Sequence, residues 1–167
     1  MIALEPLFGG ALLGRAMMTT ATEALIPSLW FERIAKIASG QLGSIENALR
    51  HAAHLLQLTP SPFRDVVRLG CDETKFEGLL DAGAFDAAAR YLVGQPTALS
   101  IEAQGERASY RATIGCSILG RAISGSGQTE ASAILNAWTT CLLNLKTEYG
   151  DDLLNLHGQR EPGLRAG

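Results

Sequence analysis

The first half of the chain predicts two amphipathic helices. Over residues 22–39, apolar side chains recur at helical spacing, with Pro27 suited to the first turn and Gly40 beyond the end. Over residues 44–58 the same spacing recurs and stops at a Thr-Pro pair. The residues predicted to face inward are Trp30, Ile34, Ile37, Ala38, Ile45, Ala48, Leu49, Ala52, Leu55 and Leu56.

Three shorter helices are predicted next. The first covers residues 61–70, where a Ser-Pro pair supplies the start. Thr74 and Glu77 have capping-box spacing for the second, which ends at Gly83. The third covers residues 85–93, and the glycine that follows is typical of a helix end.

Further along, the hydrophobic period changes from 3.6 to 2 residues, which indicates strands. Apolar and polar residues alternate over 97–104 and again over 108–116, with a Gly-Glu turn between them. These segments predict a β-hairpin with one buried face. A third strand is predicted over 117–124. Gly125-Ser126-Gly127 is then expected to break the pattern in a tight turn that needs positive φ.

The longest predicted helix spans residues 129–149 and ends at Gly150. One continuous apolar stripe runs along it. Its members are Ala131, Ile134, Leu135, Trp138, Cys141, Leu142, Leu145 and Tyr149.

These elements predict an α+β protein, with a helical N-terminal bundle followed by an α-β-β-β-α unit that contains a three-stranded antiparallel sheet. We expect four parts along the chain. They are an apolar N-terminal arm (1–20), a helical region (21–83), the α-β-β-β-α unit (84–150) and a C-terminal tail (151–167).

The charge of the chain is low and evenly spread. Its 167 residues carry 14 Lys/Arg and 17 Asp/Glu, without a basic arm or an acidic tail. Strong non-specific attraction to nucleic acid or to an anionic membrane is therefore not expected. Charged residues make up 19% of the chain, below the roughly 25% usual for soluble domains. The surface is therefore expected either to be polar through Ser, Thr, Gln and Gly, or to be covered in part by a protein partner or a second copy.

The apolar opening segment and the cysteines bear on localisation. The opening segment is too short to span a bilayer and lacks the basic start of a signal peptide. Cys71, Cys116 and Cys141 are odd in number and lack metal-type spacing, so reduced thiols are expected. Together these features favour a cytoplasmic protein.

The stretch Gly120-Arg121-Ala122-Ile123-Ser124-Gly125-Ser126-Gly127 precedes a helix with alanines at 131, 133 and 137, and a helix and two strands come before it. Over about residues 84–149 this arrangement resembles the double-stranded-RNA-binding domain, with its glycine-flanked third strand and Ala-rich second helix. The resemblance implies the α-β-β-β-α fold.

The phosphate-binding residues of that family are not matched here. The family grips phosphates with a lysine cluster at the start of the last helix, but residues 128–133 read Gln-Thr-Glu-Ala-Ser-Ala. Phosphate contacts supply much of the affinity of such binders. Variants of this fold that have lost RNA binding commonly serve as protein-interaction or dimerisation modules, and the resemblance implies that role.

Four arginines are the nearest approach to a basic patch: Arg90, Arg107, Arg111 and Arg121. A nucleic-acid-binding surface would have to be assembled from them. Alternation along the strand predicts that Arg111 points away from the buried face. Glu102 is expected across from it, in a cross-strand salt bridge.

His51 and His54 lie three apart on one face of a predicted helix, a spacing that can hold a metal ion if further ligands converge. The alternative is two amphipathic side chains at the edge of the helix, and it is favoured because no carboxylate is well placed. Gly125-Ser126-Gly127 before a helix similarly allows an anion-binding nest or a simple turn, of which the turn is favoured.

The leading hypothesis is a non-enzymatic protein-interaction or dimerisation module, which is a small accessory or adaptor protein without a cofactor. Its partner would be another protein or a second copy of the chain. One alternative is a nucleic-acid-binding protein that uses the α-β-β-β-α unit. A second alternative is a small metal- or thiol-dependent enzyme that uses the histidine pair or a cysteine.

Overall fold

The protein has the predicted α+β fold. The computed structural model describes residues 27–60, 63, 72–94, 98–105 and 109–158, with side chains as far as residue 150. Four helices in these residues precede three antiparallel strands and a C-terminal helix. The predicted N-terminal arm, the predicted helix over 61–70 apart from Phe63, and Arg107 lie outside the described residues.

Helices α1 (Pro27–Ala38) and α2 (Ile45–Gln57) are the predicted amphipathic pair, although the predicted start of the first helix, over 22–26, lies outside the described residues. Ser44 caps α2 because its hydroxyl accepts a hydrogen bond from the amide of Asn47 at 3.1 Å. The end of α2 is joined to α1 by the buried indole of Trp30, whose Nε1 donates to the carbonyl oxygen of Leu55 at 2.8 Å.

Helices α3 (Glu73–Asp81) and α4 (Phe85–Val93) also form as expected, and the predicted limits of α4 are confirmed. The predicted cap of α3 is wrong. Asp72, and not Thr74, is the N-cap, and its carboxylate accepts from the amide of Lys75 at 3.3 Å. An aspartate in this position also places negative charge at the positive end of the helix dipole.

The three strands form one antiparallel sheet in the order β1 (Leu99–Ala103), β2 (Tyr110–Cys116) and β3 (Arg121–Gly127). The first two strands confirm the predicted hairpin. In the register, Ile114 of β2 lies between Leu99 of β1 and Ile123 of β3, so these apolar side chains share one face.

The third strand starts four residues later and ends three residues later than predicted. Gly125-Ser126-Gly127 pairs with β2 and is neither a turn nor a nest, and the φ angles of these two glycines are not positive. The turn lies before the strand instead and ends at Gly120, which has a φ of 62°. The glycines are required in β3 because a Cβ at Gly125 would lie 2.2 Å from the backbone nitrogen of Ala137.

Helix α5 spans Glu130–Gly158, so the prediction that Gly150 ends it is wrong. A glycine inside a helix costs only about 0.5–1 kcal/mol relative to alanine, which is too little to stop a long helix. The predicted apolar stripe is otherwise confirmed, except that Tyr149 is 39% exposed.

The core lies between one face of the sheet and the helices. Helix α5 packs across β2 and β3, and α1 and α4 pack against α5. The sheet contributes Ala112, Ile114 and Ile123 to this core. The buried residues of α5 are Ala131, Ala133, Ile134, Leu135, Ala137, Trp138, Thr139, Cys141, Leu142 and Leu145.

Candidate interaction surface

The sheet is covered by helices on one face, and its other face is the outer face. Thr113 and Ser124 lie opposite each other in the register, and their hydroxyl oxygens are 2.9 Å apart. The outer face is built from small polar and uncharged side chains, with one acidic and one basic residue. Its residues in the three strands are Ser100, Glu102, Arg111, Thr113, Gly115, Ala122, Ser124 and Ser126.

The edge of β3 carries backbone hydrogen-bonding groups that point away from the sheet. Gly115 of β2 donates its amide to the carbonyl of Ala98, towards β1. Alternate residues of a strand direct their backbone groups to opposite sides, so the amide and carbonyl of Ile114 point towards β3. Its partner Ile123 is turned back towards β2, and the neighbouring residues, Ala122 and Ser124, therefore direct their amides and carbonyls to the free edge.

Helix α5 borders this edge. The side-chain amide of Asn136 donates to the carbonyl oxygen of Ser126 at 2.8 Å. This contact fixes which side of α5 lies above the β3 edge. Thr140, Leu143 and Thr147 follow Asn136 on that side at helical spacing, and both threonines are exposed. Among the described residues, no hydrogen bond reaches the edge-facing backbone groups of Ala122 and Ser124. We call these backbone groups and the row Asn136, Thr140, Leu143 and Thr147 the β3 shelf.

A groove of about 340 Å³ opens beside the shelf, between the α1–α2 turn and α5. None of the described residues that line it is charged. The lining residues are Ile37, Ala38, Ser39, Gly40, Leu42, Gly43, Ser44, Ile45, Ala48, Ser132, Leu135 and Asn136.

Two of the arginines predicted for nucleic-acid binding are neutralised by carboxylates of α5. Arg90 contacts Glu130 at 2.6 Å, and Arg121 contacts Glu148 at 2.5 Å. The two glutamates are eighteen positions apart, which corresponds to about 27 Å along a helix. The structure therefore does not bring Arg90 and Arg121 into one patch.

Arg111 lies on the outer face, directly opposite Glu102, as its alternation predicts. The expected salt bridge between them is absent from the ion pairs of the described residues. With the oxygen and nitrogen of its side-chain amide exchanged, Gln104 instead accepts from Nε of Arg111 at 2.9 Å. Within the described part of the chain, no carboxylate forms an ion pair with Arg111.

The N-terminus of α5 is occupied by a carboxylate of the same chain. Asp86 of α4 accepts a hydrogen bond from the backbone amide of Ala131 at 2.8 Å. Asp86 thus stands where a helix N-terminus would otherwise receive an anion, and Glu130 adds a second negative charge. Sequence reasoning missed this contact because Asp86 and Ala131 are 45 positions apart and meet only in the folded chain.

His51 and His54 lie on α2 as predicted, with His51 half-buried and His54 exposed. Burial, together with the positive charges of Arg33, His54 and Lys36, lowers the pKa of His51 from its usual value. Within the described part of the chain, no group of three or more His, Cys, Asp or Glu side chains is arranged to hold a metal ion.

A cluster of charges joins α2 to α3, and sequence reasoning missed it. The guanidinium of Arg50 is held by Glu46, Glu77 and Asp81. The i,i+4 spacings of Glu46 with Arg50 and of Glu77 with Asp81 were visible signals. The cluster borders a cleft of about 220 Å³ that also contains His54.

Two of the cysteines lie together between β2 and α5. Cys141 of α5 is buried, and Cys116 of β2 is half-buried beside it. Burial, and the contact with the Cys116 thiol, raise the pKa of Cys141 to about 12. At neutral pH Cys141 therefore stays a protonated thiol, which is a weak nucleophile. Cys71 lies outside the described residues.

Comparisons with known proteins add no relative to this description. No protein-family model, curated protein or solved structure matches the chain. Among the helices that the structure describes, none is both long enough and apolar enough to cross a membrane.

Proposed function

We propose that this protein is a non-enzymatic protein-interaction or dimerisation module. The observation that carries the proposal is the open sheet. Among the described residues, helices cover only one of its faces, and no hydrogen bond from these residues reaches the backbone groups of Ala122 and Ser124 at the β3 edge. Exposed strand edges are ready templates for pairing with another chain.

The charge distribution supports a protein partner over a polyanion. Arg90 and Arg121 are each compensated by a glutamate, so neither offers a free charge to a phosphate. The outer face of the sheet carries mainly hydroxyl and small side chains. Nucleic-acid binders, by contrast, concentrate Lys and Arg on the surface that contacts phosphates.

The alternative is a nucleic-acid-binding protein, and the element order favours it. The sequence α4–β1–β2–β3–α5 is that of the double-stranded-RNA-binding domain that residues 84–149 resemble. On this hypothesis Arg90, Arg107, Arg111 and Arg121 would contact phosphates. Asp86 at the N-terminus of α5 argues against it. Its carboxylate occupies the site where a phosphate would bind, and its negative charge would repel the phosphate.

The two functions are separated by a capture experiment. Tagged protein is recovered from its native lysate in two halves, of which one is treated with nuclease, and the purified protein is sized in parallel. The proposed function predicts that the protein is a dimer, or that one protein is retained at fixed stoichiometry in both halves. Retention lost on nuclease treatment would support the alternative. A monomer that retains nothing would overturn the proposal.

A further inference from the structure

We propose that the partner of the β3 shelf is a second copy of this chain, paired antiparallel along β3 so that the two sheets form one six-stranded sheet. This inference rests on the proposed function and names the surface and the partner. The resulting dimer would have two-fold symmetry and the same residues on both sides of the interface.

The backbone groups of the edge fit this pairing. With a two-fold axis beside Ile123, Ala122 of one copy lies opposite Ser124 of the other. Each of these residues directs its amide and its carbonyl outward, so the pair exchanges two hydrogen bonds, and symmetry supplies two more. This register leaves the carbonyl of Ser126 bonded to Asn136 as it is now.

The position of α5 allows the second copy to approach. Because α5 packs on both β2 and β3, its axis lies inward from the edge by about half a strand spacing. Neighbouring strands are about 4.8 Å apart, so the two α5 helices of the dimer would lie about 9–10 Å apart. That is the ordinary distance between packed helices, about 8–10 Å.

The side chains that would meet are small or uncharged. The two helices would face each other through the row Asn136, Thr140, Leu143 and Thr147. None of these residues is charged, so the row does not repel its own copy across the two-fold axis. Three exposed strand residues alone would bury far less surface area than a stable interface, which buries about 1,200–2,000 Å² in total. The helix row is therefore a necessary part of the proposed contact.

The β3 strand also lacks the features that usually protect an edge. It contains no proline and no lysine, and it pairs with β2 without a bulge from Arg121 to Gly127. Its one charged residue, Arg121, is paired with Glu148. The strand is regular and uncharged where the second copy would add.

The test removes interchain hydrogen bonds at the edge and leaves the backbone hydrogen bonds between β2 and β3 in place. Ser124→Pro deletes an amide that points to the free edge, which is where an edge strand tolerates proline, and Ser124→Ala is its control. Thr140→Lys places two like charges near the axis, and Gln57→Lys adds the same charge on α2, away from the shelf. Circular dichroism checks that each variant is folded, and sedimentation over a dilution series gives its mass.

We expect the wild type, Ser124→Ala and Gln57→Lys to have twice the 17.7 kDa mass of the chain. Loss of two interchain hydrogen bonds in Ser124→Pro should raise the dimer Kd about 30-fold or more. Thr140→Lys should also dissociate the dimer, and it serves if Ser124→Pro does not fold.

Two results would overturn the inference while leaving the proposed function standing. One is a dimer that survives both Ser124→Pro and Thr140→Lys, which would place the interface elsewhere. The other is a monomeric wild type that binds a different protein through the shelf. A monomer that also captures nothing from the lysate would overturn both proposals together.

Discussion

Gly125 of β3 and Ala137 of α5 meet backbone to backbone. A Cβ placed on Gly125 would lie 2.2 Å from the nitrogen of Ala137, and one on Gly127 would lie 2.2 Å from Oγ of Ser132. Two strand glycines therefore let α5 lie close on the sheet, directly beside the β3 edge. This close approach holds Asn136 within reach of the Ser126 carbonyl.

Gly125→Ala is expected to destabilise the protein. The new methyl group must displace the backbone of α5, and overpacking of this kind costs about 1–3 kcal/mol. Urea unfolding at fixed protein concentration measures the change. Gly78→Ala is the control, since nothing lies within 4 Å of its Cβ position in α3 and a helical alanine should gain about 0.5–1 kcal/mol. Equal stability of Gly125→Ala and the wild type would show that α5 does not rest on this strand.

Trp30→Phe is expected to lower the free energy of unfolding by about 0.5–1.5 kcal/mol, because the carbonyl of Leu55 loses the indole donor and keeps the Thr59 hydroxyl, 3.3 Å away, as a donor. Trp138→Phe is the matched control. Its indole is also buried, but it has no hydrogen bond among the described residues. If both variants lose the same stability in urea, ring size alone explains the effect and the Trp30 hydrogen bond contributes nothing.

The stability of the protein is expected to fall as the pH is lowered through the titration of His51. The pKa of His51 is lowered by burial and by Arg33, His54 and Lys36. Between that lowered value and about 6.5, the unfolded chain binds more protons than the folded chain, so acid favours unfolding. His51→Gln should therefore lose less stability than the wild type between about pH 7.5 and about pH 5. Parallel pH profiles of the two proteins would contradict this.

Cys141 is expected to resist alkylation in the folded protein. With a pKa of about 12, roughly one thiol in ten thousand is ionised near pH 8, and the side chain is buried. A short iodoacetamide pulse followed by peptide mapping should find Cys141 modified only when urea is added. Modification of Cys141 at the same rate with and without urea would show that this part of the core is open.

Local patterns were sufficient to predict most of the fold. Helical spacing and flanking glycine predicted α4 to the residue, and alternation predicted the hairpin of β1 and β2. The third strand was misplaced because glycine is a common turn residue, and its role in β3 depends on Ala137, which lies on another element. The helix α5 ran past Gly150 because one glycine is a weak helix breaker.

The candidate surface was less predictable. Sequence indicated four arginines as a possible patch, but it did not show that Glu130 and Glu148 neutralise two of them, since these contacts join residues 40 and 27 positions apart. Nor could it show which backbone groups face the edge of the sheet. That follows from the register of Gly115 with Ala98, which only the folded hairpin fixes.

Hydrogen exchange at four amides of β3 tests most directly whether a second copy pairs along this strand. Ile123 and Gly125 bond to β2, so their amides should be protected whether or not a second copy is bound, and they report that the sheet is folded. The amides of Ala122 and Ser124 face the edge. We predict that they are protected in concentrated wild type and exchange rapidly on dilution or in Thr140→Lys. Rapid exchange of Ala122 and Ser124 at every concentration, with Ile123 and Gly125 protected, would contradict pairing along β3.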